Sequence, residues 1–149
     1  MSVNATDAGR AYFGRRYMLS ASHRLHSEAL SAEENRSAYG KCNNPHGHGH
    51  NYTIEILVGG PVNAETGMVI NLADLDSIVQ SKVLARFDHT NLNFDPMFTN
   101  RVPTTENLCR AVHELLVGEI PAGAGAKLEQ VRVEETENNF FEYSGDGTA

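Results

Sequence analysis

The sequence predicts an α+β fold: an antiparallel sheet of four strands with two helices packed on one face. Three observations predict it. Two segments, Arg15–Leu25 and His48–Val58, alternate apolar and polar residues at every second position. Two later segments repeat apolar residues at helical spacing. Two more extended segments close the chain, so the order is two strands, two helices, two strands. The sheet face away from the helices is left for water or a partner subunit.

The first strand, RRYMLSASHRL, places Leu19, Ala21, His23 and Leu25 on one face. Ser27–Lys41 is polar and reads as a long crossing loop, with one helical turn at Glu33–Arg36. The second strand places His48, His50, Tyr52, Ile54, Ile56 and Val58 on one face and Asn51, Thr53 and Glu55 on the other. Gly59, Gly60 and Pro61 end it. Met68–Ile70 is a short extended piece. Asn71 then caps a helix with Asp74 in its first turn and Leu72, Leu75, Ile78, Val79 and Val83 as its stripe. Phe87–Pro96 is loop. Pro103 and Thr104 open the second helix, whose stripe is Leu108, Val112, Leu115 and Leu116, and Pro121 with the AGAGA run stops it. Lys127–Glu135 and Asn139–Tyr143 are the last two strands, joined by a turn near Asn138.

Bulk properties exclude several function classes. The 149 residues suit one domain over residues 1–149, preceded by a disordered lead-in of about ten residues. No apolar run is long enough to span a membrane, and MSVNATDAGR lacks the apolar segment of a secretion signal. Two cysteines cannot build a disulfide framework, which points to a reducing, cytoplasmic setting. The net charge of −7 and the absence of a basic block argue against nucleic acid. Any anionic ligand would need positive charge supplied locally.

The stretch KCNNPHGHGHNY, Lys41–Tyr52, carries the chemistry. His48 and His50 sit two apart on a strand, so both rings point the same way and can reach one ion. His23, on the apolar face of the adjacent strand, is the third ligand. Three imidazoles with an open fourth position is a catalytic zinc arrangement. His46, preceded by a turn at Asn43–Pro45, fits less well. Cys42 is either a fourth ligand, which would close the site, or a free thiol acting as general base. Cys109 reads as core, His26 as a loop residue and His113 as helix surface. In Asp88–His89 the carboxylate can orient the ring. Glu135 shares a strand face with Val131 and Val133, so it points inward, where a ligand with two adjacent N–H donors would satisfy it. Glu134 points to solvent or a neighbour.

These stretches, with SASHRL (Ser20–Leu25), GMVINLADL (Gly67–Leu75), FDHTNLN (Phe87–Asn93), PTTEN (Pro103–Asn107) and VEETENN (Val133–Asn139), resemble the 6-pyruvoyl-tetrahydropterin synthase family in the family's order. The resemblance implies the tunnelling fold, in which sheets join into barrel-shaped trimers and then a homohexamer, a dimer of trimers. It implies His23, His48 and His50 as zinc ligands, and Cys42 as a catalytic base outside the metal's ligands. Asp88 and His89 would be its partners in proton transfer, and Glu135 the anchor of the pterin ring. Thr104, Thr105 and Glu106 would approach the pterin across a subunit boundary. The implied reaction converts 7,8-dihydroneopterin triphosphate to 6-pyruvoyl-tetrahydropterin and releases triphosphate, in tetrahydrobiopterin-type biosynthesis. Two alternatives are a 6-carboxy-tetrahydropterin synthase of queuosine biosynthesis and a non-catalytic, zinc-stabilised pterin-binding protein. His46 creates a second HGH frame with the carboxy family's cysteine spacing. Asn51 and Tyr52, which follow His50 directly, favour the His48–His50 frame.

Overall fold

The computed structural model describes residues 9–120 and 125–145. The expected lead-in and the stop at Pro121–Ala124 fall largely or wholly outside them. Five strands form one mixed sheet in the order β3-β1-β2-β4-β5. Strands β1 (Ala11–His23) and β2 (His48–Gly60) are each 13 residues long and pair antiparallel from Ala11↔Gly60 to His23↔His48. Strand β1 starts four residues earlier and ends two earlier than its sequence pattern. The partner strand runs on through Gly59 and Gly60, so the ladder extends past the patterned segment.

Strand β3 (Thr90–Asn91) lies parallel to Ala21 and Ser22, inside the stretch expected to be loop. Two residues carry no periodic signal, so alternation could not reveal it. Strand β4 (Lys127–Glu134) pairs antiparallel with β2, with an irregularity at Leu57/Val58, and β5 (Phe140–Tyr143) closes the other edge. Met68–Ile70 forms no strand.

The crossing segment contains helix α1 (Ala32–Tyr39), two turns where one was expected. Ser31 and Glu34 close a capping box there, each side chain bonding the other's backbone N–H. Buried Asn35 ties its start to Ser27, Leu30 and Ser31. Helix α2 (Leu72–Val79) starts on the Asn71 cap and continues through a π-turn at Gln80–Leu84 into α3 (Ala85–Phe87). Helix α4 (Thr105–Leu116) starts on the Thr104 cap. The core lies between the sheet and the helices. Leu19, Tyr52, Ile54, Ile56, Val58, Val131 and Val133 from the strands meet Leu75, Val79, Val83, Leu108, Val112 and Leu116 from the helices, all at 0–1% exposure. Leu72 stands outside that stripe, exposed at the helix's first turn. His113 is buried, not on the surface, because β5 brings the Tyr143 ring edge-on to it at 5.1 Å.

Candidate metal centre and active site

The alternation that buries Leu19 and Ala21 carries His23 onto the same inner face at the end of β1, and the register sets His48 opposite it and His50 opposite Ala21. Gly47 makes the entry into β2 possible. Its φ is +72°, and a Cβ there would stand 2.9 Å from the His23 carbonyl oxygen. The three rings meet nearly edge to face, with centroids 4.6, 4.7 and 5.0 Å apart. One ring nitrogen of each lies within 4.8 Å of the others.

His23 is fully buried, and its Nδ1–H donates to the Pro103 carbonyl at 2.7 Å. That bond fixes the tautomer and leaves Nε2 with a free lone pair, 3.0 Å from His48 Nε2. Burial pushes the His23 pKa down to about 4, with smaller contributions from His48 and His50, and burial lowers His50 as well. Both rings are therefore neutral near pH 7, the state a metal requires. His50 Nε2 lies 3.2 Å from Glu135 Oε1 but out of line for a hydrogen bond, so this buried nitrogen has no partner. Converging imidazoles, a fixed tautomer and an orphaned nitrogen fit a divalent cation. His46 is exposed and outside the cluster.

Cys42 is a half-buried free thiol in the 3₁₀ turn Gly40–Asn43 and is not one of the clustered ligands. The turn is moored to the residues after His23. Leu25 N–H donates to Cys42 O at 2.8 Å, Asn43 Nδ2 donates to Leu25 O at 2.8 Å, and Arg24 Nε donates to Asn43 O at 3.1 Å. Asn93 holds the other side, accepting from Arg24 N–H at 2.7 Å and donating to Arg24 O at 2.9 Å. Sequence reading missed Asn93 and the Pro103 carbonyl, since no spacing rule reveals a contact across 69 or 80 residues.

Asp88 and His89 sit at the sheet edge just before β3. Asp88 Oδ1 accepts from Ser20 N–H at 2.9 Å and lies 3.1 Å from His89 Nδ1. The Ser20 N–H first, then His89, hold its carboxyl below the usual range. His89 has φ +60° and an 82% exposed side chain. An open groove of about 460 Å³ joins it to His50 and Asn51 past Ser20 and Ala21. A second groove of about 370 Å³, between His50 and Glu135, flanks the cluster on its β4 side. Glu135 points inward as expected, although β4 ends one residue before it.

The Thr104 hydroxyl caps α4, accepting from Asn107 N–H at 3.1 Å. Thr105 is buried, and its hydroxyl has no hydrogen-bond partner. Glu106 is exposed and is not brought to the histidines in this chain. Among the described residues no helix is long and apolar enough to cross a membrane.

Fold and site define an α+β protein with a three-histidine cluster able to hold a metal ion at one end of its longest strand pair. Residues 13–146 match the family model described as 6-pyruvoyl tetrahydropterin synthase, and the chain belongs to that family. The human protein named 6-pyruvoyl tetrahydrobiopterin synthase is 45% identical over 138 residues, covering 92% of this chain and 93% of that one. The structure of Caenorhabditis elegans 6-pyruvoyl tetrahydropterin synthase superimposes with a TM-score of 0.86 at 40% identity, over 93% of this chain and 97% of that chain. An Archaeoglobus fulgidus relative, named a putative 6-carboxy-5,6,7,8-tetrahydropterin synthase, is 36% identical over 116 residues, 78% of this chain and 90% of that one.

Proposed function

We propose that this chain converts 7,8-dihydroneopterin triphosphate to 6-pyruvoyl-tetrahydropterin with release of triphosphate, and that its metal is zinc. The observation that carries the reading is the buried, unpartnered His50 Nε2 among three converging imidazoles, with the Glu135 carboxylate beside it. Family membership and the human and nematode relatives support the same activity.

His23, His48 and His50 hold the ion, leaving room for substrate oxygens. When bound, zinc supplies Lewis-acid polarisation of side-chain oxygens, which acidifies the adjoining C–H bonds. The Cys42 thiolate removes a carbon proton; the turn that carries it is moored to Leu25, two residues after His23. His89, oriented by Asp88, returns protons from the solvent side. Glu135 accepts from two adjacent N–H groups of the pterin ring, and Thr104, Thr105 and Glu106 approach the pterin across a subunit boundary. The reaction rearranges oxidation level within the substrate, so no nicotinamide cofactor enters. Assembly through the sheet face opposite the helices, into trimers and a hexamer, completes the reading. That face carries exposed Tyr12, Met18 and Phe140.

Metal analysis and product mass test it together. The expected result is stoichiometric zinc and a pyruvoyl side chain on the product. A carboxylated product alone, or protein without stoichiometric metal, overturns it.

A further inference from the structure

The ladder between β1 and β2 has its last pair at His23↔His48, so Arg24 is the first residue to leave it. Its N–H and C=O lose their strand partners while still partly shielded from water, which is costly for backbone. Asn93 satisfies both at once. Its Oδ1 accepts from Arg24 N–H at 2.7 Å, and its Nδ2 donates to Arg24 O at 2.9 Å. A hydrogen-bonded strand residue exchanges the same two bonds with the residue opposite. A primary amide can imitate it because it carries donor and acceptor side by side.

This clasp joins the two segments that hold the proton-moving groups. On one side, Leu25 N–H donates to Cys42 O at 2.8 Å and Arg24 Nε donates to Asn43 O at 3.1 Å, so the thiol's turn hangs from residues 24 and 25. On the other, His89 N–H donates to Ser20 O at 2.6 Å, and Thr90 and Asn91 pair with Ala21 and Ser22. Two paired residues are a short strand; the clasp carries the pairing on past His23. Asn93 is aimed from within its own loop. Asn91 Oδ1 accepts its N–H at 2.9 Å, and Arg86 grips Asp95 just beyond it through bonds of 2.8 and 2.9 Å. The loop therefore runs beside Ser20–Arg24 with His89 at one end and Asn93 at the other.

We propose that Asn93 is a positioning residue: it locks the Cys42 turn to the His89 loop across the Arg24 backbone, so the segments bearing thiol and imidazole keep one spacing. Asn93 acts through Arg24 and Leu25. That Cys42 and His89 move protons rests on the function proposed above; the lock between the two segments does not.

The test joins amide hydrogen exchange on the metal-loaded, full-length protein to steady-state kinetics with dihydroneopterin triphosphate. In Asn93→Ala the Arg24 and Leu25 amides exchange about tenfold faster, the local opening expected from two lost neutral hydrogen bonds. The kcat falls about tenfold to a hundredfold, the scale of a misplaced reacting group, while KM and metal content hold. Asn93→Asp keeps the acceptor for Arg24 N–H and loses only the donor, so it recovers part of both effects. Asn63→Ala is the control. It removes the bonds from Glu65 N–H and Thr66 N–H in the loop after the far end of β2, and costs stability without touching the clasp. Its kcat and its Leu25 exchange match wild type. Leu25 exchange that is unchanged in Asn93→Ala, or raised equally in Asn63→Ala, overturns the proposal. So does an unchanged kcat in Asn93→Ala, or a drop that comes with lost metal; the functional reading then stands alone if wild type forms the pyruvoyl product. A wild type that forms no pterin product defeats the functional reading, and faster Leu25 exchange in Asn93→Ala then leaves the lock standing.

Discussion

Two groups of proposed functional residues meet at one end of the β1–β2 pair, and they are built on opposite principles. The metal-binding group sits on long strands. His23 is fully buried, its tautomer is fixed by a backbone carbonyl, and its neighbours are core residues. The proton-moving group sits on short connections. Cys42 lies in a single 3₁₀ turn, and His89 stands 82% exposed in a left-handed backbone conformation. A cation needs its ligands pre-positioned, because every buried imidazole must offer a lone pair without reorganisation. A group that exchanges protons with solvent or substrate needs access instead. The core therefore orders the first group, and local hydrogen bonds order the second.

Removing a strand-borne ligand should have the largest effect. For His48→Ala we expect metal content to fall from about one ion per chain to near none, and activity to fall to background. Chelation of the wild type should have the same effect, reversed by zinc. Chelation should also lower Tm, since a ligand that binds only the folded state stabilises it. Full metal content in His48→Ala would break the comparison at its first term.

Cys42→Ala should leave metal content intact while activity drops about 10²–10⁴-fold, the usual range for a lost general base. Loss of metal in this variant would make the sulfur a ligand and the site a closed one. His89→Gly sharpens the contrast from the other side. Activity should fall over the same range, yet Tm should hold or rise, because glycine relieves a φ of +60° that other residues adopt at a cost. A Tm drop of several degrees would show that His89 holds structure as well as protons.

The same division explains what the sequence made legible. The histidine cluster could be read because strand alternation is a strict rule: His23, Leu19 and Ala21 share a face, and so do His48, His50 and Tyr52. Glu135 could be read by extending the Val131–Val133 face by one step. The two strand pairs and helices α2 and α4 followed from period and caps. What could not be read rests on single long-range contacts. The two-residue strand β3, the Asn93 clasp on Arg24 and the Pro103 carbonyl behind His23 leave no local pattern. His113 was misplaced for the same reason, since β5 rather than its own helix decides its burial.

Acid should separate the groups by pH. The folded-state pKa of His23, about 4, lies below its ordinary value of 6.5, so the unfolded chain binds more protons between those limits. Stability of the metal-free protein should be full above about pH 6.5 and decline as pH falls towards 4. The contribution from this residue is up to about 3 kcal/mol. Chemical denaturation across that window measures it. In His23→Gln the dependence should flatten, whereas in His89→Gln it should persist. A profile unchanged by His23→Gln would mean that another group governs acid sensitivity.

The smallest effect concerns the two thiols, where the contrast between turn and core recurs within one residue type. Burial pushes the Cys109 thiol up to about 12, and its sulfur sits 3.3 Å from the Phe141 carbonyl beneath β5. Thiolate is the reacting form, so at pH 8 Cys109 is nearly inert by ionisation and is also shielded from reagent. Cys42 is half-buried in its turn. A disulfide reagent should therefore titrate one thiol per folded chain and two in denaturant. The fast thiol should disappear in Cys42→Ala and persist in Cys109→Ala. A pterin bound beside the histidines should slow the Cys42 reaction by covering the thiol. Two equally fast thiols in the folded protein would mean that α4 and β5 open readily, and the rigid half of the comparison would then lose its rigidity.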